Sequence, residues 1–419
     1  MEEEMEMEKE MEKYLTSHYA LRFNLLSEQT EYKPLGKAGL SYGANNQAGA
    51  SNQAGGSNQA EASNRTSTSS LVSNPNAFKI LTKRDENTLF IEMRKAGIAC
   101  KERAMSCYIH SSFVPHYHPF RLYMDGLPTW DGQDRLIDLA SRVSSDAYWI
   151  LCFHRWMLGL TAQWMGLDSQ HANSTAPLLI SEAQGWMKST FCKSLVPKEL
   201  SAYYTDQMDI SQGQQEKKLA VMGLINLDEF DRLSPRQMAS LKTLMQLSVL
   251  NLRKAYRQHY QQLPRIASFI GTSNRKDLLT DPTGSRRFIC VEVEHSIDCT
   301  GFELNQIYAQ LKHELRSGER YWFTHEEETL IQERNKAFYQ TTPEEELFRA
   351  HFRATRPDEA GELLSLEQII ETLHHYHKGL MRNLNLNRFG SAIIASGIER
   401  IHTRSGNRYR VVRIKPHDQ

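Results

Sequence analysis

Residues 181–190 read Ser181-Glu-Ala-Gln-Gly-Trp-Met-Lys-Ser-Thr190. A phosphate-binding loop follows the pattern G-x-x-x-x-G-K-[ST], in which backbone N–H groups and the Lys hold phosphates and the hydroxyl reaches Mg²⁺. Lys188 and Ser189 stand in register with this pattern, whereas Glu182 and Met187 occupy its two glycine positions. The stretch therefore predicts a phosphate loop that lacks both glycines.

The loop lies between two segments with different structural preferences. Residues 177–180 are a short apolar run, typical of a buried strand, and residues 191–195 continue as a predicted helix. Strand, loop and helix are the order that this motif requires. We therefore expect an α/β P-loop NTPase fold that binds ATP and Mg²⁺. The expected nucleotide-binding residues are Gln184, Gly185, Lys188, Ser189 and Thr190.

Two further apolar runs end in polar side chains. Residues 224–229 read Leu-Ile-Asn-Leu-Asp-Glu, which predicts that Asp228 holds Mg²⁺ together with Ser189 and that Glu229 activates the attacking water. Residues 266–274 end at Asn274, whose amide would hold that water near the γ-phosphate. Taken singly, the two acids are more typical of a helix start, and the Asn of a turn. The order of the elements carries the prediction.

A fourth element adds two arginines. Residues 281–288 read Asp-Pro-Thr-Gly-Ser-Arg-Arg-Phe, which predicts a tight turn that presents Arg286 and Arg287. Such a turn could supply an arginine finger to a neighbouring subunit and stabilise charge on the transferring phosphoryl group. A plain surface turn is the alternative. The predicted catalytic residues are Glu229, Asn274, Arg286 and Arg287.

The missing glycines leave a second function open. Glu182 adds negative charge near the phosphates unless its side chain points to solvent. A non-glycine residue with positive φ at position 187 costs roughly 1 kcal/mol or more. Loss of hydrolysis would leave a non-enzymatic DNA-binding or assembly protein built on an ATPase-derived fold.

Charge distribution, hydropathy and cysteine content limit the possible binding partners and the cellular location. Lys+Arg and Asp+Glu are both 50, but residues 251–290 hold eight basic and two acidic side chains, and residues 378–419 hold nine and two. Each segment could bind a polyanion or form a solvated face. No apolar stretch approaches the roughly 18 residues of a membrane span. The six Cys include no C-x-x-C pair, so we expect a reduced, cytoplasmic protein without a membrane partner.

The chain also divides by composition. Residues 37–73 carry Asn-Gln-Ala repeats with a six-residue period and almost no apolar bulk, which predicts a disordered linker. A β-solenoid is the alternative, but the repeats lack the bulky inward residue that it requires. The predicted parts are an N-terminal segment (1–36), this linker (37–73), a helical domain (74–172), an ATPase domain (173–340) and a C-terminal domain (341–419).

Local periodicity predicts the elements around the motifs. The expectations are a strand around residues 19–25 that pairs with residues 78–81, a helix over 85–110 with Asp85 as N-cap, helices over 134–165 and 343–380, a short helix over 388–398 and a hairpin over 400–414.

Residues 120–295 resemble the virulence-associated protein E family of phage and mobile elements, which is related to superfamily 3 helicases and AAA+ ATPases. The resemblance is carried by Phe120 to Trp130-Asp-Gly132, Gln184-Gly185 with Lys188-Ser-Thr190, Leu227-Asp-Glu-Phe230, Gly271-Thr-Ser-Asn274 and Asp281 to Phe288. It implies an ATP-dependent DNA helicase or translocase that works as a homo-oligomer, in the form of a hexameric ring, beside a primase partner. Met187 departs from the family's usual glycine.

The same resemblance implies contacts with single-stranded DNA. In superfamily 3 helicases a basic hairpin before the sensor strand grips the strand, and residues 251–260 occupy that place. The implied contacts are made by Arg253, Lys254, Tyr256, Arg257 and His259. A plain connecting hairpin is the alternative.

The C-terminal region resembles a winged helix, with a recognition helix over residues 388–398 and a basic wing over 401–412. This resemblance implies that Arg404, Arg408 and Arg410 contact phosphates. Many winged helices bind protein instead.

Overall fold

The computed structural model describes residues 2–36, 77–167, 171–208, 215–253, 260–279, 282–340, 342–356, 359–377, 384–404 and 406–414. The chain forms two compact units, one that ends at Asp125 and one that begins at Gly126. The predicted linker over residues 37–73 lies outside the described residues.

The first unit packs helices on a small sheet. Its elements are α1 (Glu2–His18), β1 (Tyr19–Asn24), β2 (Gln29–Pro34), β3 (Lys79–Ile80), α2 (Lys83–Lys95), α3 (Glu102–Ile109), β4 (His116–Tyr117) and α4 (Pro119–Asp125). The strand order is β3-β2-β1-β4, and only β1 and β4 pair in parallel. The buried side chains of its core come from helices and sheet: Met11, Leu15, Tyr32, Leu89, Met93, Met105 and Ile109.

Several sequence-based expectations are corrected in this unit. Residues 79–80 pair with β2 rather than with the strand expected around 19–25, which is β1. The helix expected over 85–110 is two helices, because the chain turns at Gly97 with φ +81°. Its N-cap is Thr82 rather than Asp85: the Thr82 side chain accepts the Asp85 N–H, and the Asp85 carboxylate accepts the Thr82 N–H.

The larger part of the second unit is an α/β core. Its helices and strands are α5 (Leu136–Ser141), α6 (Ala147–Met165), β5 (Ala176–Ile180), α7 (Lys188–Ser194), β6 (Tyr204–Thr205), α8 (Gln215–Val221), β7 (Leu224–Leu227), α9 (Pro235–Leu244), β8 (Val249–Arg253), β9 (Tyr260–Pro264), β10 (Ser268–Ser273), β11 (Phe288–Glu292), α10 (Leu304–Arg316) and α11 (His325–Arg334). Short 3-10 segments cover Lys198–Tyr203, Phe230–Arg232, Pro282–Arg287 and Asn335–Phe338.

The sheet of this core has the strand order β11-β5-β10-β7-β6, and every adjacent pair is parallel. Every residue of β5 and β10 is buried, as parallel strands covered on both faces require. Gly271 of β10 permits close packing, because a Cβ there would lie 2.7 Å from a Leu178 methyl carbon and 3.2 Å from the Leu227 carbonyl oxygen.

Helix α6 belongs to this core and not to the first unit. Most of its residues are buried, its Trp164 indole N–H donates to the Gly223 carbonyl at 3.2 Å, and the Gln163 amide donates to the Arg265 carbonyl at 3.0 Å. A helix that is apolar on nearly all sides is buried between other elements. The boundary at Asp125 therefore cuts the helical domain expected over residues 74–172.

The C-terminal region follows with α12 (Pro343–His351), β12 (Phe352–Ala354), β13 (Glu362–Ser365), α13 (Leu366–Tyr376), α14 (Leu386–Ala395), β14 (Glu399–Thr403) and β15 (Gly406–Arg413). Two strands interrupt the helix expected over 343–380, and Ser365 caps α13 through the Gln368 N–H. The expected hairpin is present, since β14 and β15 pair antiparallel from Glu399↔Arg410 to Thr403↔Gly406.

Candidate functional site

A pocket of about 290 Å³ opens where β5, β7 and β10 end. The carboxyl ends of parallel strands meet at one edge of a sheet, and ligands of open α/β sheets bind there. The residues that line the pocket are Gln184, Gly185, Trp186, Met187, Lys188, Ser189, Thr190, Asp228, Glu229, Thr272 and Asn274. The structure thus brings together all the predicted nucleotide-binding residues, Asp228, and two of the four predicted catalytic residues.

Lys188 lies at the centre of this group. Its side chain is buried, and Nζ donates to the Ser181 carbonyl at 2.9 Å and to Asn274 Oδ1 at 3.0 Å. Burial lowers the pKa of Lys188, while the carboxylates of Asp228 and Asp231 oppose that change. The amine therefore joins the loop after β5 to the end of β10.

Asp228 accepts two hydroxyl hydrogen bonds in the pocket. Ser189 Oγ donates to Asp228 Oδ1 at 2.8 Å, and Thr272 Oγ1 donates to the same oxygen. Mg²⁺ prefers a small number of carboxylate and hydroxyl oxygens together with water and phosphate. The adjacent oxygens of Ser189 and Asp228 fit that donor set.

Two residues that line the pocket have left-handed backbone. Met187 has φ 59° and Glu229 has φ 51°, a conformation that costs a non-glycine residue roughly 1–3 kcal/mol. The loop therefore retains a backbone suited to glycine even though position 187 holds Met, whose side chain is 42% exposed. Glu182, at the other glycine position, is exposed and does not line the pocket.

The Glu229 carboxylate forms an ion pair with Arg232 at 2.5 Å, and both side chains are well exposed. Exposed pairs contribute little to stability, so Glu229 can exchange this partner for another at small cost.

Arg286 and Arg287 lie at the opposite edge of the sheet. They directly precede β11, whose first residue Phe288 pairs with Ala176 at the start of β5, whereas the pocket lies beyond Ile180. Five residues of strand at about 3.3 Å each separate the two edges by roughly 15 Å. Neither arginine can therefore complete the pocket of its own chain.

The predicted basic hairpin is described only in part. Strands β8 and β9, on either side of residues 254–259, pair antiparallel from Val249↔Pro264 to Arg253↔Tyr260. Lys254, Tyr256, Arg257 and His259 lie outside the described residues, and Arg253 is described only as the backbone end of β8.

The three predicted wing arginines have different surroundings. Arg404 is exposed at the turn after β14. Arg408 donates to Gln368 Oε1 at 2.9 Å, and Arg410 pairs with Glu399 at 2.9 Å. Of these three arginines, only Arg404 has a side chain that the structure describes as exposed.

Sequence reasoning missed a second layer of polar residues. Ser273 Oγ donates to Asp231 Oδ1 at 3.0 Å and accepts the Arg275 N–H at 3.0 Å, so it ties the segment after β7 to the turn after β10. Side chains alternate along a strand, so Thr272 and Asn274 share the face toward the pocket while Ser273 points toward Asp231. This alternation within Gly271-Thr-Ser-Asn274 was the available signal.

The fold is a mixed α/β fold with a parallel sheet, and its polar cluster lies at the carboxyl edge of that sheet. A family model described as a virulence-associated protein E-like domain matches residues 124–340, just over half of the 419-residue chain. The chain belongs to this family, which confirms the resemblance seen in the sequence. Residues 341–411 match a second model, described as a domain of unknown function from a B. Theta gene, DUF3874.

Solved structures of the NrS-1 C-terminal region are similar to the chain. An A form apo structure of that region (305–718) is 13% identical, with 97% of this chain and 98% of that chain covered and a TM-score of 0.41. A second A form apo structure is 11% identical, with 96% and 98% covered and a TM-score of 0.43. Another apo structure is 13% identical, with 97% and 98% covered and a TM-score of 0.44.

No curated protein matches the chain. Within the described residues, no helix combines the length and the apolar character that crossing a membrane requires.

Proposed function

We propose that this protein is a P-loop ATPase that binds ATP and Mg²⁺ in the pocket at the ends of β5, β7 and β10. One observation carries the proposal: Lys188 contacts Asn274 at 3.0 Å while the adjacent Ser189 contacts Asp228 at 2.8 Å. Three neighbouring strands thus deliver a cation, a pair of Mg²⁺ ligands and an amide to one pocket, which is the set that phosphoryl transfer needs.

Each side chain has a role in the proposed reaction. Lys188 neutralises charge on the β- and γ-phosphates, and Ser189 and Asp228 hold Mg²⁺. Glu229 accepts a proton from the water that attacks the γ-phosphorus, while Asn274 orients that water. The bond from the γ-phosphorus to the bridging oxygen breaks, so ADP and phosphate leave.

The proposal extends to a homo-oligomer. Arg286 and Arg287 lie about 15 Å from the pocket of their own chain, at the amino edge of the sheet. An arginine finger at this edge acts on the nucleotide of a neighbouring subunit, which favours a ring in which each interface holds one ATP. A hexamer is the expected size.

DNA is the molecule that the protein is proposed to translocate. The basic residues 251–260 and the C-terminal region supply the positive surfaces. In this proposal the C-terminal region, with the order α12, β12, β13, α13, α14 and the β14–β15 hairpin, acts as a winged helix. ATP hydrolysis would move single-stranded DNA, and the chain would act as the helicase-like part of a mobile element's replication machinery in the cytoplasm, beside a primase.

ATP turnover with and without single-stranded DNA tests this function. Lys188→Ala should lower kcat at least about 100-fold, since removal of one preorganised group costs this much in comparable sites. Lys193→Ala, an exposed lysine of the same helix, should leave turnover unchanged. Full DNA-stimulated turnover by Lys188→Ala would overturn the proposal.

A second candidate is a DNA-binding or assembly protein that does not hydrolyse ATP. The left-handed Met187 backbone, φ 59° at the position where the loop pattern has glycine, favours it. Turnover by the wild type that is lost in Glu229→Gln would remove this candidate. DNA binding without any ATP turnover would favour it.

A further inference from the structure

Arg286 is held within its own subunit by a carboxylate. Its Nη1 lies 3.3 Å from Glu328 Oε2, and the two side chains are 38% and 27% exposed. Glu328 stands in the first turn of α11, whose start is fixed by the capping box of Thr324 and Glu327. The carboxylate therefore sits on a well-anchored element.

The pair also borders a second opening. Glu328 lines a pocket of about 250 Å³ at the amino end of β5, together with residues 171–175 and 321–323. The Trp322 ring stacks on His171 with centroids 4.3 Å apart. The carboxylate that holds Arg286 is thus reachable from outside the subunit.

We propose that Glu328 is an autoinhibitory partner of Arg286: its carboxylate pairs with the guanidinium while the subunit is alone, and the γ-phosphate of a nucleotide bound to the neighbouring subunit displaces it. The inference rests on the proposed function. An exchange of one anion for another keeps Arg286 paired in both states, and it makes Glu328 a competitor of the neighbour's phosphate. Removal of the carboxylate should therefore ease productive assembly.

Glu328→Gln tests this through the dependence of ATP turnover on protein concentration. The protein concentration for half-maximal turnover should fall about two- to five-fold, the change expected for loss of a partly exposed ion pair. Glu333→Gln, an exposed acid of the same helix, should leave it unchanged. Glu328→Gln should not restore turnover to Arg286→Ala, because the arginine that benefits is absent.

Mixing separates this inference from the proposed function. Lys188→Ala subunits keep Arg286, and Arg286→Ala subunits keep the pocket, so a mixture should regain turnover that neither has alone. Absence of turnover in the wild type or in the mixture would contradict the proposed function. Restored turnover with an unchanged or higher half-maximal concentration in Glu328→Gln would overturn the role of Glu328. Glu328→Asp, which shortens the reach and keeps the charge, should shift the concentration in the same direction by less, and it substitutes if Glu328→Gln fails to fold.

Discussion

The amine of Lys188 and the side-chain oxygen of Asn274, which are 86 positions apart in the chain, lie 3.0 Å from each other. This contact links the end of β10 to the loop that follows β5. Asn274→Ala should lower kcat roughly 100-fold, because the amide that orients water is lost. Steady-state ATP hydrolysis measures the effect.

Asn274→Asp is the matched variant for that experiment. It keeps an acceptor for Lys188 but adds negative charge beside the phosphates. In this variant we therefore expect a higher KM for ATP in addition to a lower kcat. A kcat for Asn274→Ala within about two-fold of wild type, well short of the roughly 100-fold cost of a lost preorganised group, would exclude the assigned role.

Met187→Gly should improve the loop. Glycine removes strain of roughly 1 kcal/mol at φ 59°, and it also removes a side chain that lines the pocket. Its greater freedom when unfolded costs about 0.5–1 kcal/mol, so the free energy of unfolding should change little while kcat/KM rises.

Met187→Ala separates the two effects, since it removes bulk and keeps the left-handed backbone of a non-glycine residue. Equal kcat/KM for Met187→Gly and wild type would show that the loop is not impaired by Met.

Asp231→Ala should disturb the Asn274 turn from a distance. Asp231 accepts the Ser273 hydroxyl at 3.0 Å, and the lost hydrogen bond should let the turn relax, with kcat about ten-fold lower for a loss of roughly 1.4 kcal/mol. Asp231→Asn retains an acceptor oxygen and should recover most of kcat. If both variants lose kcat equally, the carboxylate acts by charge and not through Ser273.

Acid should destabilise the first unit through His118. Burial lowers the pKa of His118 to about 4, with a smaller contribution from Arg121. In the unfolded chain the pKa of the same side chain is about 6.5. Between these values the unfolded state binds a proton that the folded state does not, so stability is lost as pH falls from 6.5 toward 4. Thermal unfolding of the full chain measures it.

His118→Phe should flatten that part of the pH dependence, and His116→Phe, at an exposed position, should not. An unchanged slope in His118→Phe would assign the acid sensitivity to other groups.

Arg404→Ala should weaken binding of single-stranded DNA and reduce its salt dependence. Each phosphate contact to a single strand contributes about 0.7 to the slope of log K against log salt, so loss of one contact should lower the slope by about that amount. Arg413→Ala is the control, because Arg413 pairs with Glu362 at 3.0 Å. Equal slopes for wild type and Arg404→Ala would remove Arg404 from the DNA surface.

Much of the candidate pocket could be predicted because its residues follow apolar runs at strand ends. Asp228 and Asn274 each stand just after such a run, the loop that leads to Ser189 follows a third, and parallel strands bring those ends together. The edge on which Arg286 lies could not be predicted, since it depends on the register Phe288↔Ala176, which no local pattern encodes.

Two features of the fold were beyond local patterns for other reasons. Helix α6 is apolar on nearly every side. The periodicity of its sequence therefore does not identify a single buried face, and it does not indicate which unit the helix packs in. Strand β3 is two residues long, and its pairing with β2 joins residues on either side of a long insert. Alternation over such a short segment carries too little information to choose a partner.

That last pairing has a practical consequence. Strand β3 pairs with β2 through Glu31↔Ile80 and Tyr32↔Lys79. The described residues that flank residues 37–76 therefore lie on neighbouring strands of the first unit. Loop-closure entropy grows only with the logarithm of length, about 0.6 kcal/mol for each doubling. The segment between β2 and β3 is therefore suited to the insertion of a fluorescent domain or an affinity tag, which leaves both ends of this chain unmodified.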